Sequence, residues 1–187
     1  MVKKTIQYFS FVAMSILISG LYGVLHNQFT YLVSKEYFTH FKFLLFGIPD
    51  YLVEPERLGA AIVGWNATWW FGLIVGLTLG SLWVWENVLL LRDRYNAMAI
   101  VVITALLAGV LGGIFAYSYY QPLRYYEVFE FTGYTQEIRD SLNTMSDPYA
   151  FLRASTIHNC GYIGAGLGLL LGMLQLRKSR NRRLKEK

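Results

Sequence analysis

Four runs of the chain, residues 5–25, 58–85, 97–120 and 154–176, carry almost no charged side chain. An α-helix rises 1.5 Å per residue, so about 20 apolar residues cross the hydrocarbon core of a bilayer. Each run is long enough. The pattern predicts an all-α integral membrane protein, with four transmembrane helices in a tight bundle and short amphipathic helices in the outer loops. One membrane domain, 1–187, would hold them all.

Within the runs, small residues recur at every fourth position. Gly72, Gly76 and Gly80 form one ladder, and Gly164, Gly168 and Gly172 form another. Such spacing lays a groove along one helix face, where a second backbone can approach closely, and helices in lipid associate this way. The second run extends its ridge through Ala60, Gly64 and Thr68. The third offers Ala108, Gly112 and Ala116, and the first Ser15, Ser19 and Gly23. Helix packing is therefore the expected role of the ladders, within the chain or against another copy. The ladders lie 92 residues apart, while Gly20 and Gly113, Gln28 and Gln121, and Glu54-Pro55 and Asp147-Pro148 recur at 93. Two parallel helix–loop–helix repeats are expected, 1–96 and 97–176, followed by a basic cytoplasmic tail, 177–187.

Charge sets the orientation. With both termini inside, the inner segments hold eleven basic residues against three acidic ones, a net +8, and the outer loops hold six against nine, a net −3. Basic residues stay on the cytoplasmic side. Trp83, Trp85 and Tyr95 mark the inner border, and Tyr117, Tyr119, Tyr120, Tyr125 and Tyr126 the outer one. The basic tail suits anionic lipid headgroups, whereas no stacking aromatics interleave its charges as a nucleic-acid surface would need. Lys3 and Lys4 ahead of an apolar stretch resemble a signal peptide, but no A-x-A-like site follows, so the first span is expected to be retained.

In the first outer loop, Ser34 is a helix-cap candidate, and the aromatics of 34–43 are spaced for one helix face. A second loop helix is expected over 134–145. Both would lie on the membrane or cap the bundle.

Candidate chemistry gathers on the outer side. His26 ends the first run, Glu36 and His40 stand four apart, and His158-Asn159 lies about one turn into the fourth. An imidazole–carboxylate set of His26, Glu36, His40 and His158 would suit zinc or ferrous iron. His26 and His158, at similar depths on different helices, could instead hold haem b. Asn66, His158 and Asn159 are polar residues inside the spans, and such groups either bond across helices or serve function. The lone Cys160 excludes an internal disulfide and sits on a ladder position, as a small buried residue would. The glycines lack the strand–turn–helix setting of a phosphate cradle, and no serine occupies a nucleophile turn.

The ordered string His26-Asn27-Gln28-Phe29-Thr30-Tyr31, Ser34-Lys35-Glu36-Tyr37-Phe38 and Phe41-Lys42-Phe43 resembles one in uncharacterised bacterial multi-pass membrane proteins. There, Asp stands in place of Asn27 and Pro in place of Lys35. The resemblance implies a bacterial inner membrane and directs attention to His26, Gln28, Thr30 and Glu36, with no catalytic role attached. The leading expectation is a small non-catalytic inner-membrane protein, a packing partner or accessory subunit of a membrane assembly, without a cofactor. The alternatives are an outer-face metal or haem protein and a pore or transporter along the repeat axis.

Overall fold

A computed structural model describes residues 2–49, 55–86, 88–120 and 145–186, and these are helical with no strand among them. The elements are α1 (Val2–Val33), a π-helical turn (Phe38–Lys42) running into the single-turn α2 (Phe43–Leu45), α3 (Glu56–Trp85), α4 (Leu91–Tyr119) and α5 (Pro148–Lys185). The helices α1, α3, α4 and α5 are each long and apolar enough to cross a membrane.

Helix ends follow breakers and caps rather than loss of apolarity. The first apolar run stops at Leu25, yet α1 continues to Val33, because residues 26–33 contain neither Gly nor Pro. The same absence carries α5 through the basic segment to Lys185, so most of the expected tail is helix. At its start, Asp147 accepts a hydrogen bond from the Ala150 amide at 2.9 Å, and Pro148 occupies a position where no amide hydrogen is needed. Ser34 acts as the predicted cap, its Oγ accepting from the Tyr37 amide at 3.1 Å. The expected helix over 134–145 lies outside the described residues except for Met145.

The bundle is inside-out by the standards of a soluble domain. Along α1 the buried positions include Ser15, Gly20, Gly23, Asn27 and Thr30, while Leu17, Leu21, Leu25 and Phe29 are exposed. Along α4, Ala97, Ala105, Gly109, Gly112 and Ala116 face inward and Ile103, Leu107, Leu111 and Ile114 outward. In water this arrangement would forfeit hydrophobic burial; in lipid the small side chains give closer backbone contact and the large ones meet acyl chains.

Two hairpins result, α1 with α3 and α4 with α5, and each touches its own mate far more than the other hairpin. Every ladder glycine is used inside the chain. A Cβ at Gly72 would collide with the Ser15 carbonyl, and one at Gly76 would lie 2.8 Å from the Val12 Cα. Gly80 lies under Tyr8, Gly164 against Ala108, Gly168 against Val101, and Gly172 against Ala97. The closest approach is between Gly23 and Gly64, where each Cβ would overlap the other's carbonyl. The hairpins also pair in matching register. Ser19 exchanges hydrogen bonds with Thr68, donating to its carbonyl at 2.9 Å and receiving at 2.8 Å. Gly112 meets Cys160, and these positions lie 93 and 92 residues further on.

The hairpins are joined at both ends. At the end carrying the termini, the buried Arg94 guanidinium lies 4.4 Å from the Trp83 ring centre and 4.9 Å from that of Phe11, and donates to the Gln7 carbonyl at 2.7 Å. Glu86, at the end of α3, accepts from Arg180 of α5 at 2.8 Å, while Asp93 accepts from Arg183 at 3.1 Å within the second hairpin. At the other end, Tyr37, Phe38 and Phe43 pack with Tyr31, Val63, Ala116 and Phe151 into one aromatic-rich core. This loop segment caps the bundle.

The glycine contacts make an unambiguous prediction. Gly64→Val forces α1 and α3 apart and should lower the thermal midpoint by about 2–12 °C, as overpacking of a tight contact costs about 1–3 kcal/mol and each kcal/mol shifts a chain of this size by about 2–4 °C. Gly166 has nothing within 4 Å of an added Cβ. Gly166→Ala should leave the midpoint unchanged or slightly raised, since alanine is the better helix former. Circular-dichroism melting in mild detergent compares the two.

Candidate functional site

The candidate site forms where α1 crosses α5. His26 lies seven residues before the end of α1 and His158 ten residues into α5, about 10 and 15 Å along their helices. Their rings meet edge to face, with centres 4.7 Å apart. Tyr37 of the capping loop stacks on His158 at 5.1 Å, and Tyr22 stacks on His26 at 5.5 Å.

His158 is fully engaged. Its Nε2 lies 3.0 Å from Thr30 Oγ1, and that hydroxyl also lies 3.0 Å from the His26 carbonyl. The direction of the Thr30–His158 hydrogen bond follows the tautomer of His158. His26 has no comparable tether among the described residues. Its ring borders a cavity of about 490 Å³ between the two hairpins. Ser19, Tyr22 and Asn27 of α1, Thr68, Trp70 and Phe71 of α3, Met98 to Ala105 of α4, and Gly161, Tyr162 and Ala165 of α5 contribute to the walls. No Lys, Arg, Asp or Glu lines it among the described residues. Trp70 and Tyr162 are also exposed on the side of the bundle, 48% and 44%, so the cavity opens laterally near mid-helix. Ser19, Thr68 and Asn27 satisfy themselves on backbone carbonyls. The Tyr22 hydroxyl is buried and has no partner among the described residues.

The proposed metal set does not assemble. Among the described residues no three metal-ligating side chains come together. Glu36 instead accepts the Ser146 and Asp147 amides at 2.8 and 3.1 Å, tying the capping loop to the start of α5. Partial burial alone would raise its carboxyl, but these amides, with His40 nearby, outweigh that and hold it below the usual carboxylate range. His40 is exposed and shares a hydrogen bond with Thr39. His26 and His158 do converge, as their depths suggested, but a porphyrin plane could not fit between rings 4.7 Å apart. Gln28 is occupied too, donating to the Arg57 carbonyl at 3.0 Å. Asn66 and Asn159 turn outward, exposed on α3 and α5, and are not the cross-helix bonding groups expected.

Sequence reasoning passed over Tyr22, Tyr162 and Lys42. A signal existed for the first two: Tyr22 precedes His26 by four residues and Tyr162 follows His158 by four, each on its histidine's helix face. Lys42 entered only as part of the loop string Phe41-Lys42-Phe43. It is buried beneath the cap, its Nζ 5.4 Å from the Tyr37 ring centre and 5.3 Å from that of Phe41. Burial lowers its pKa from 10.5 to about 8.

No protein-family model, curated protein or solved structure matches the chain.

Lys42 gives the cap a pH signature. Between pH 8 and 10.5 the unfolded chain keeps the lysine proton that the folded chain has shed, so stability rises with pH across that window. Lys42→Met should abolish the rise and leave the protein more stable than wild type at pH 7. Thermal melts from pH 7 to 10 measure both effects.

Proposed function

We propose that this is a non-catalytic four-span membrane protein that holds a membrane-soluble small molecule between its two hairpins. The observation that carries the reading is the lateral cavity, which among the described residues is apolar-walled and uncharged and is lined by Tyr22, whose phenol has no partner there, and by the His26 imidazole. Its volume is that of a small-molecule site. Its opening lies among side chains that an acyl environment would surround, so a ligand enters from the bilayer rather than from water.

The outward leucines support insertion in lipid, and the basic excess at the end bearing both termini supports a cytoplasmic position for that end, in a bacterial inner membrane. The matched contacts of the hairpins support duplication of one helix–loop–helix unit. The cap of Tyr37, Phe38 and Lys42, latched by Glu36, closes the outer end of the cavity region.

Gly161 provides the test. An added Cβ there would lie 3.7 Å from Tyr22 Oη and 3.9 Å from His26 Cε1, so a side chain fits without displacing backbone. Protein purified in mild detergent should carry a lipid-soluble molecule at close to one per chain, seen by native mass spectrometry. Gly161→Leu and Ala165→Phe, which fill the cavity, should lose it while remaining monodisperse. A wild-type protein carrying nothing would sink the reading.

Asn66 and Asn159 favour a second feature, assembly with another copy. They lie 93 residues apart, one on each hairpin, and each sets an exposed carboxamide on a face that is otherwise apolar. In lipid that group is best satisfied by a carboxamide on a neighbouring helix. Asn66→Leu with Asn159→Leu should shift a cross-linked dimer to monomer; an unchanged dimer, or a wild-type monomer, would count against assembly.

A further inference from the structure

We propose that the molecule held between the hairpins is a lipid-soluble quinone, its carbonyl ring beside His26 and Tyr22 and its tail leaving past Trp70 and Tyr162. The inference rests on the reading of the cavity as a ligand site and adds the ligand's class.

Charge narrows the choice first. A fatty acid or phospholipid headgroup would place a formal charge in a chamber with no lining counter-ion among the described residues, and burial of an unpaired charge is prohibitive. The ligand is therefore uncharged. The hydrogen-bonding groups narrow it further. Tyr22 Oη and the ring carbon His26 Cε1 both lie within 4 Å of a Cβ at Gly161, so the phenol and the imidazole border the same part of the cavity wall. Tyr22 is a donor without an acceptor, and neutral imidazole always presents one N–H. Two donors bordering one cavity call for a ligand that carries acceptors, and the carbonyl oxygens of a quinone supply them. A simple long-chain hydrocarbon would leave both unsatisfied, at a cost of the kind that polar sites use for discrimination.

The walls select for a flat ring. Tyr22 and His26 are stacked at 23°, and Trp70, Phe71 and Phe46 add aromatic surface around the chamber. A planar ring can lie against such faces in offset or edge-on contact. Its apolar tail needs a route that stays in lipid, and the gap at Trp70 and Tyr162 supplies one. His158, held by Thr30 and Tyr37, fixes the position of His26 through their edge-to-face contact and does not itself need to touch the ligand.

Protein freed of endogenous ligand and placed in lipid nanodiscs is titrated with a benzoquinone bearing a ten-carbon tail. Tryptophan fluorescence reports binding, and Gly161→Leu is the blank for non-specific quenching. Wild type should show saturable quenching. Tyr22→Phe and His26→Leu should each weaken it by about tenfold, the worth of one buried neutral hydrogen bond. Decylbenzene, with the same tail and no carbonyl, should not compete. If decylbenzene competes as well as the quinone, or if both variants bind as wild type does, the quinone assignment is overturned. The cavity reading survives that result if the endogenous molecule still co-purifies with wild type and is still expelled by Gly161→Leu. Loss of that co-purification overturns both.

Discussion

Everything in this fold follows from how closely two backbones can lie. At Gly23 and Gly64 the carbonyl of one helix occupies the space where a side chain of the other would begin. The same device repeats down α1 and α3 and along α4 and α5. Helices in lipid have no water-driven force to hold them, so dispersion between near-touching backbones takes its place. That contact takes up the ladder residues within each hairpin, while Gly109 and Gly161 of the second hairpin face His26 of the first.

What joins the hairpins at the ends is polar and aromatic, and between the ends Val75 and Leu79 of α3 share one core with Met98 and Val101 of α4. Arg94 reaches from α4 to the α1 backbone and is sandwiched by Trp83 and Phe11. A buried guanidinium is tolerable there because aromatic faces and a carbonyl replace its water. At the far end Glu36 spans from the cap to α5, and His158 to Thr30 spans from α5 to α1. Between the clamped ends the two hairpins leave a gap, and the cavity is that gap. The site is thus a consequence of how the bundle is packed.

The sequence made the four helices, their apolar outer faces and the packing faces legible, because composition and a four-residue period are local properties. It also placed His26 and His158 at compatible depths. It misassigned Glu36 and His40, because a spacing of four says only that two side chains share a face. Whether they meet a third ligand depends on the path of the loop. That path takes Glu36 to the amides at the start of α5, which no local pattern encodes. Asn66 failed for a related reason: the glycine face fixes which way α3 turns, and Asn66 lies on the other side of it.

Helix length was understated at α1 and α5, since hydropathy marks the apolar part while only a breaker or cap stops the hydrogen-bond ladder. Read alone, the chain therefore determined that it forms long apolar helices with small-residue faces, a consequence of residue size and period. Only the tertiary structure decided which glycine meets which backbone, that the ladders are consumed within the chain, and that Tyr22, His26 and Tyr162 border one chamber. Those are relations between residues far apart in sequence, and they exist only once the hairpins have met.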